Sequence, residues 1–381
     1  MDTSADGEKD PRIAEKGKKS YKYFCGVNRL GRRDHMDVLH PLRHGLVQDW
    51  DLLERLYDHA LVDRLGIQTR EHPIVHTEPA YAPREMRGKI AEIFFEKYDT
   101  PAFFLIKDPV CSCFAMGRAT GVVLDVGGEV TTTSAVVDGY VLQKSVNVSL
   151  LAGDRLSSEL LAAMKKRKVN VRPRYQVSRL LHSDGTTSSV EREFPNVTSS
   201  YRDFAIRQVL DDLKRSCCRV SDSAFDERVT SIPSVEYELP GNPVEIGTER
   251  FNVPECLFRP EGMVNLSNVA PEEPLVGVHQ MVQKSVLSCD VDMRRDLYSN
   301  LVVCGGTSLL NGFTERLDRE MSVLAPTQKL KIVASNNPVE RSFSVWLGGS
   351  ILGSLGSFQQ TWVSKEEFAE VGRAVIESKC P

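Results

Sequence analysis

Two short glycine turns are the residues of this chain best suited to chemistry. The first, Asp125-Val126-Gly127-Gly128-Glu129-Val130, separates the apolar run Gly121 to Leu124 from an alternating segment, Thr131 to Val137. The second, Gly305-Gly306-Thr307, follows the apolar run Leu301 to Cys304 and precedes a helix-like stretch. Glycine lets backbone N–H groups come close to a phosphate, and a helix N-terminus adds a partial positive charge there. Read this way, the turns are halves of a nucleotide clamp. Each also has a plain structural reading: a hairpin turn for the first, and a strand-to-helix turn capped by Thr307 for the second.

Other candidates are weaker. Lys165-Lys166-Arg167-Lys168, extended by Arg172 and Arg174, reads either as a nuclear-import or nucleic-acid patch or as a solvated helix end. His72 and His76 have i,i+4 spacing, but Pro73 and the β-favouring Ile74-Val75 argue against a helix, so no metal site is expected. The nine cysteines show no CxxC pair, as expected of buried reduced thiols. Net charge is 48 − 52 = −4, which gives no global field toward nucleic acid or acidic membrane. No apolar run approaches membrane-spanning length and no signal-peptide core is present, so no membrane association is expected and the sequons at Asn147, Asn196 and Asn265 carry little weight.

The elements that must hold these turns follow from periodicity. Residues 1–20 are polar and aperiodic and read as disordered. Trp50, Leu53, Leu56, Tyr57 and Ala60 mark a helix capped by Asp49. His72 to Thr77 reads as a strand, Arg84 to Tyr98 as an amphipathic helix, Ala102 to Ile106 as a buried strand and Val110 to Met116 as a short helix. A meander follows: Gly121 to Asp125, Thr131 to Val137 and Tyr140 to Ser145. Leu156 to Met164 and Phe204 to Arg219 read as helices, and the stretch 165–202 between them as polar and turn-rich, with SDGTTSS (183–189) as an exposed insertion. Residues 232–260 read as short strands, Val276 to Ser288 and Leu309 to Leu324 as helices, the latter capped by Thr307 or Ser308, and Lys329 to Ala334 as a strand. Strand–turn–strand units mixed with helices predict α/β halves facing a cleft.

Seven stretches carry a family resemblance: LRHGLVQDWD (42–51), HPIVHTEPAYAPREMRGKIAEIFFE (72–96), GRATGVVLDVGGEVTT (117–132), VDGYVLQ (137–143), LAGD (151–154), CDVDMRRDLYSNLVVCGGTSLLNGF (289–313) and VWLGGSILGSLGSFQQTWVSKEEF (345–368). From about Tyr21 to Pro381 the sequence resembles actin and the actin-related proteins. FFLIK (103–107), VSDSAFDERV (220–229) and NNPVERSFSVWLGGSILGSLGSFQQ (336–360) make it most similar to the nuclear actin-like 6, or actin-related protein four, type. The resemblance implies the actin fold, an α/β architecture of two ribonuclease-H-like halves around a nucleotide cleft. The first half would hold 21–115 and 345–381, the second 116–344, with 152–262 as its outer subdomain.

The same resemblance places Asp125, Gly127 and Gly128 in the second phosphate loop, Gly305, Gly306 and Thr307 on one cleft wall and Gly153 on the other. It also implies losses. The water-orienting glutamine corresponds to Asp108, the second acidic position of the loop to Gly128, the lysine–glutamate pair by the ribose to Lys214 and Arg215, and a base-side lysine to Ser342. The family's first phosphate loop and its strand have no counterpart. Phosphoryl transfer needs several charged parts fixed at once, so the expectation is a non-enzyme that requires no cofactor, with ATP the nucleotide such a cleft would take. Phe114, Ala115, Gly117 and Tyr140 match one side of a barbed-end groove for amphipathic helices, and Leu352 and Leu355 the other. The implied role is that of a nuclear structural subunit of SWI/SNF (BAF), SWR or NuA4/TIP60-type complexes. Its partners would be an actin monomer, the helicase-SANT-associated helix of the ATPase and other complex subunits, with nucleosome contact indirect. The alternative is an ATP-binding cytoskeletal actin-like protein.

Overall fold

The computed structural model describes residues 22–26, 31–183, 187–226, 232–262 and 275–380. Segment 1–20, expected to be disordered, lies outside the described residues. A small hairpin, β1 (Leu42–Arg43) and β2 (Leu46–Val47), turns through His44 and Gly45, both at positive φ. Helix α1 (Trp50–Tyr57) starts as its cap demands, with the Leu52 N–H donating to the Asp49 carboxylate at 3.0 Å. Next, β3 (Ile74–Glu78), α2 (Arg84–Glu92) and β4 (Ala102–Lys107) make a parallel βαβ unit, with β3 shifted slightly from its expected His72 start. The strand β4 reads AFFLIK without alternation because it is covered on both faces: Phe103, Phe104, Leu105 and Ile106 are all buried. Helix α3 (Asp108–Ala115) follows at once, with Pro109 in its first turn, where a missing N–H goes unnoticed.

The meander comes next as β5 (Gly121–Val126), β6 (Thr131–Val137) and β7 (Tyr140–Val141). Its third strand is shorter than expected. Gln143–Ser145 curls into a 3-10 turn, and the Ser145 hydroxyl accepts from the Ala135 N–H at 2.7 Å, taking a place a longer strand would fill. After β8 (Asn147–Ser149) and α4 (Gly153–Lys166), the stretch expected to be polar and turn-rich contains the antiparallel hairpin β9 (Val177–Leu181) and β10 (Thr187–Glu191). Helix α5 (Ser199–Cys217) leads to β11 (Val235–Glu238), β12 (Pro243–Ile246) and α6 (Glu249–Glu255). The last of these is a helix where strands were expected, drawn in by the burial of Val253, Cys256 and Leu257.

Helices α7 (Val278–Leu287) and α8 (Val291–Tyr298) precede a second parallel βαβ unit: β13 (Leu301–Cys304), α9 (Phe313–Leu324) and β14 (Ile332–Val333). The start of α9 corrects the sequence reading, which put its cap at Thr307 or Ser308. Gly306–Leu309 is a 3-10 turn, and Gly312 at φ +82° precedes the helix because a Cβ there would overlap the Val220 carbonyl oxygen. The strand expected over Lys329 to Ala334 shrinks to β14. The chain ends with α10 (Pro338–Ser342), α11 (Ser344–Gly353), β15 (Val363–Ser364), α12 (Lys365–Val371) and α13 (Ala374–Lys379).

Two main sheets result, ordered β15-β4-β3 and β14-β13-β5-β6-β7, with β8 also on β6. Each has its own apolar core, one centred on Phe94, Phe103 and Leu105, the other on Leu124, Leu156, Val282 and Phe313. Helix α3 joins the halves by packing on β5, β6 and β13, and α11 crosses it so closely that a Cβ on Gly348 would overlap the Cys111 carbonyl. All nine cysteines are free thiols, and all but Cys25 are buried. No helix among the described residues is long and apolar enough to cross a membrane, and no cluster there could hold a metal.

Candidate functional site

The two glycine turns lie against each other at the ends of neighbouring strands. β5 delivers Asp125 and β13 delivers Cys304 in parallel register, so Gly305 emerges directly over the Asp125–Val126 backbone. Its φ of +88° and the absence of a side chain are both required there, since a Cβ would overlap Asp125 Oδ1 and the Val126 oxygen. Thr307 donates its hydroxyl to the Gly127 carbonyl at 2.8 Å. On the opposite wall, the N–H groups of Gly153 and Asp154 donate to the Gly127 and Gly128 carbonyls at 3.1 and 2.7 Å. A Cβ on Gly153 would come within 2.5 Å of Thr307 Oγ1. All seven cleft residues named from the sequence are therefore brought together, but Gly153, Asp154 and Thr307 spend these donors on the protein itself.

Sequence reasoning named Lys214 and Asp108 beside them but missed the partners that hold these side chains. Lys214 is buried, and its amine donates to the Gly153 carbonyl (2.7 Å), Ser157 Oγ (2.7 Å) and Asp211 Oδ1 (2.9 Å). Asp211 supplies the acidic partner from the preceding helical turn, an i,i+3 spacing visible in the sequence. The tip of the β1–β2 hairpin lies over the first turn: the His44 N–H donates to Glu129 Oε2 at 2.7 Å, and the Tyr81 hydroxyl donates to the His44 carbonyl at 2.8 Å.

Beneath this strap is a cavity of about 130 Å³ lined by Gly45, Tyr81, Asp108, Ser112, Asp125 and Gly127, with no lysine or arginine in its wall. Burial pushes Asp108 up to about 7, reinforced by the Asp125 charge, while the Thr77 hydroxyl donates to it and opposes the rise. Burial likewise pushes Asp125 up to about 6. The Tyr81 phenol rises to about 12 through burial first, then through Asp108, Asp125 and Glu129. The volume is below the few hundred Å³ that ligand pockets occupy, and the cavity wall offers a phosphate no cationic contact of its own. This cavity by itself is too small for a nucleoside triphosphate, and Gly153, Gly305, Gly306 and Thr307 lie outside its lining.

This pair makes stability depend on pH. A carboxyl whose folded value is raised holds its proton more tightly in the native state, so its stabilising contribution is complete below the unfolded value near 4. It is lost as pH rises toward about 7. Asp108→Asn keeps the neutral shape, so it is expected to raise stability at pH 8 by about 3 kcal/mol and to converge with the unsubstituted chain near pH 4. Thermal unfolding from pH 4 to 8 checks this; parallel curves would contradict it.

The family model described as Actin matches the chain over residues 4–381. The chain belongs to the actin family. The match begins earlier than the resemblance read from about Tyr21. Similar proteins include actin-related protein 4 of Arabidopsis thaliana, 43% identical over 94% of this chain and 83% of that protein. Actin-related protein 4 of Schizosaccharomyces pombe is 37% identical over 94% of this chain and 91% of its own length. The same yeast's SWI/SNF and RSC complexes subunit arp42 is 34% identical over 91% and 86%.

In this actin-family frame, the expected partner groove is only partly a surface. Tyr140 and Leu355 are exposed (59% and 42%), and Phe114 sits beside the Gly139–Tyr140 turn. Ala115 and Gly117 lie at the end of α3, Gly117 with open space around it. Leu352 is corrected: it is 6% exposed and belongs to the core of the first half, because α11 turns that side toward α3 and β3. The basic cluster closes α4, with Lys165 and Lys166 in its last turn, Arg167 paired to Glu249 at 3.0 Å and Lys168 at φ +60°. That placement suits the C-terminal helix dipole.

Proposed function

We propose that this chain is a non-catalytic, actin-related structural subunit of nuclear chromatin-remodelling or histone-acetylating complexes. The observation that carries the reading is its 34% identity, over most of both chains, to a protein named as a SWI/SNF and RSC complexes subunit. The site supports it chemically. Asp108 and Asp125 line one cavity with no basic residue in its wall, and Thr307, Gly153 and Asp154 bond to the Gly127–Gly128 turn, so the turns brace one another within the second half. On this reading the work is done at surfaces: Tyr140 and Leu355 contact an actin monomer or the helicase-SANT-associated helix of the remodeller ATPase, and the chain couples motor to nucleosome through other subunits. Lys165, Lys166, Arg167 and Lys168 serve nuclear entry when exposed to a carrier.

The test against a cytoskeletal, ATP-binding role is direct. Purified chain with magnesium and ATP is expected to release no phosphate above background and to stay in the supernatant under conditions that pellet actin. Nucleotide-dependent pelleting would favour the cytoskeletal reading instead.

A further inference from the structure

The second half holds a cavity of about 500 Å³ between its two outer hairpins, β9–β10 and β11–β12, which pair in separate two-stranded sheets. Its floor follows from strand register. Ser189 stands opposite Arg179 and Glu191 opposite Val177, so alternation sets these four side chains on one face of β9–β10. The turn from Glu238 to Pro243 covers that face. Gly241 holds φ +98° there, and a Cβ on it would lie 3.6 Å from both Arg172 Nη1 and Val177. The volume falls within the range that ligand pockets occupy.

The wall carries two arginines and two glutamates, paired crosswise. Arg172 Nε lies 2.7 Å from Glu191 Oε1, and Arg179 pairs with Glu238 between the two hairpins. Neither pair is a strong tie. Arg179, Glu191 and Glu238 have side chains 64%, 54% and 66% exposed, where ion pairs contribute little and open readily. Arg172 is only 24% exposed, and its buried Nε–H is not aligned on Glu191, so that donor has no hydrogen-bond partner. A lone anion entering here would meet two carboxylates, and a lone cation two guanidiniums. A ligand with one charge of each sign lets every charge stay paired. Its carboxylate takes the Arg172 fork in the bidentate geometry a guanidinium prefers, and its cation takes Glu238. The two residues released, Arg179 and Glu191, are diagonal neighbours on the hairpin face and within reach of each other.

We propose that this cavity is a docking site for a mixed-charge peptide segment of a partner subunit, with an acidic side chain on Arg172 and a basic one on Glu238. Val177 and Leu239 add apolar wall against which the aliphatic stems of such side chains lie. Exposed ion pairs give a free small zwitterion little affinity, whereas a segment tethered within an assembly gains from effective concentration. The inference therefore rests on the structural-subunit reading and gives it a second surface, distant in sequence from Tyr140.

The test places a benzoylphenylalanine photocrosslinker at the exposed position 242 of the tagged full chain and purifies its native complexes after irradiation. The expected adduct is a partner-subunit segment with an acidic and a basic residue within about four positions of each other, the span of a short extended chain. A synthetic peptide of that segment should bind the isolated full chain. Glu238→Lys should leave the unfolding temperature unchanged, because the side chain is exposed, yet weaken the peptide about tenfold or more. Replacing the peptide's basic residue by glutamate should restore binding to that variant, which a merely structural role of Glu238 would not do. No adduct, an adduct confined to this chain or a second copy, a segment lacking the charge pair, or binding indifferent to Glu238→Lys overturns the proposal. Recovery of remodeller subunits without an adduct removes this inference alone. A mixed-charge adduct from an assembly lacking any remodeller or acetyltransferase subunit removes the chromatin reading alone.

Discussion

Gly305→Val is expected to destabilise the protein by about 4 kcal/mol, enough to unfold a domain of ordinary stability. A β-branched side chain is strained at φ +88°, and its Cβ would occupy the space of Asp125 Oδ1 and the Val126 carbonyl oxygen. The neighbouring glycine provides the contrast. A Cβ on Gly306 finds nothing nearer than Ser342 Oγ at 3.8 Å, so Gly306→Ala should cost less than about 1 kcal/mol. Urea unfolding of both variants separates the possibilities: equal midpoints would mean that the turn is a flexible ligand cradle, whereas a large gap means that Gly305 is a packing contact between β5 and β13.

Arg316→Met is the second large effect, expected at about 3–5 kcal/mol. The guanidinium is fully buried and donates to Glu255 Oε1 and Oε2 at 2.8 and 2.9 Å, to Glu320 at 2.7 Å and to the Ser221 and Ser223 carbonyls at 3.1 and 2.8 Å. It also lies 4.9 Å from the Phe258 ring centroid. Removing it leaves a buried carboxylate and two carbonyls short of donors, which costs more than the pair itself contributes. Neutralising the stranded acid should therefore restore part of the loss, so the double variant Arg316→Met, Glu255→Gln is expected to be more stable than the single one. A double variant that is no better would place the whole effect in lost packing.

The sequence disclosed the parts of this fold that local rules control. Asp49 caps α1, the AFFLIK run makes a strand buried on both faces, and the Asp125 and Gly305 turns end strands that pair in register. It misled where tertiary burial overrode local pattern. The helix α6 contains Pro254 yet forms because Val253 and Leu257 enter the core, and α8 has too few buried residues to show a period. The site was legible as a set of residues and opaque as a circuit. Nothing in the spacing says that Thr307 donates to Gly127 or that His44 reaches Glu129, contacts 180 and 85 residues apart. Leu352 illustrates the limit: its stripe on the helix is visible, but which side faces inward depends on Gly348 allowing α3 to close against it.

The proposed reading puts function in assembly and not in the cleft. Affinity purification of the tagged full chain from nuclear extract, followed by mass spectrometry, tests that most directly. The expected result is stoichiometric recovery of a remodeller or acetyltransferase catalytic subunit together with actin. Recovery of filament-associated cytoskeletal proteins, with no chromatin-complex subunit, would contradict it.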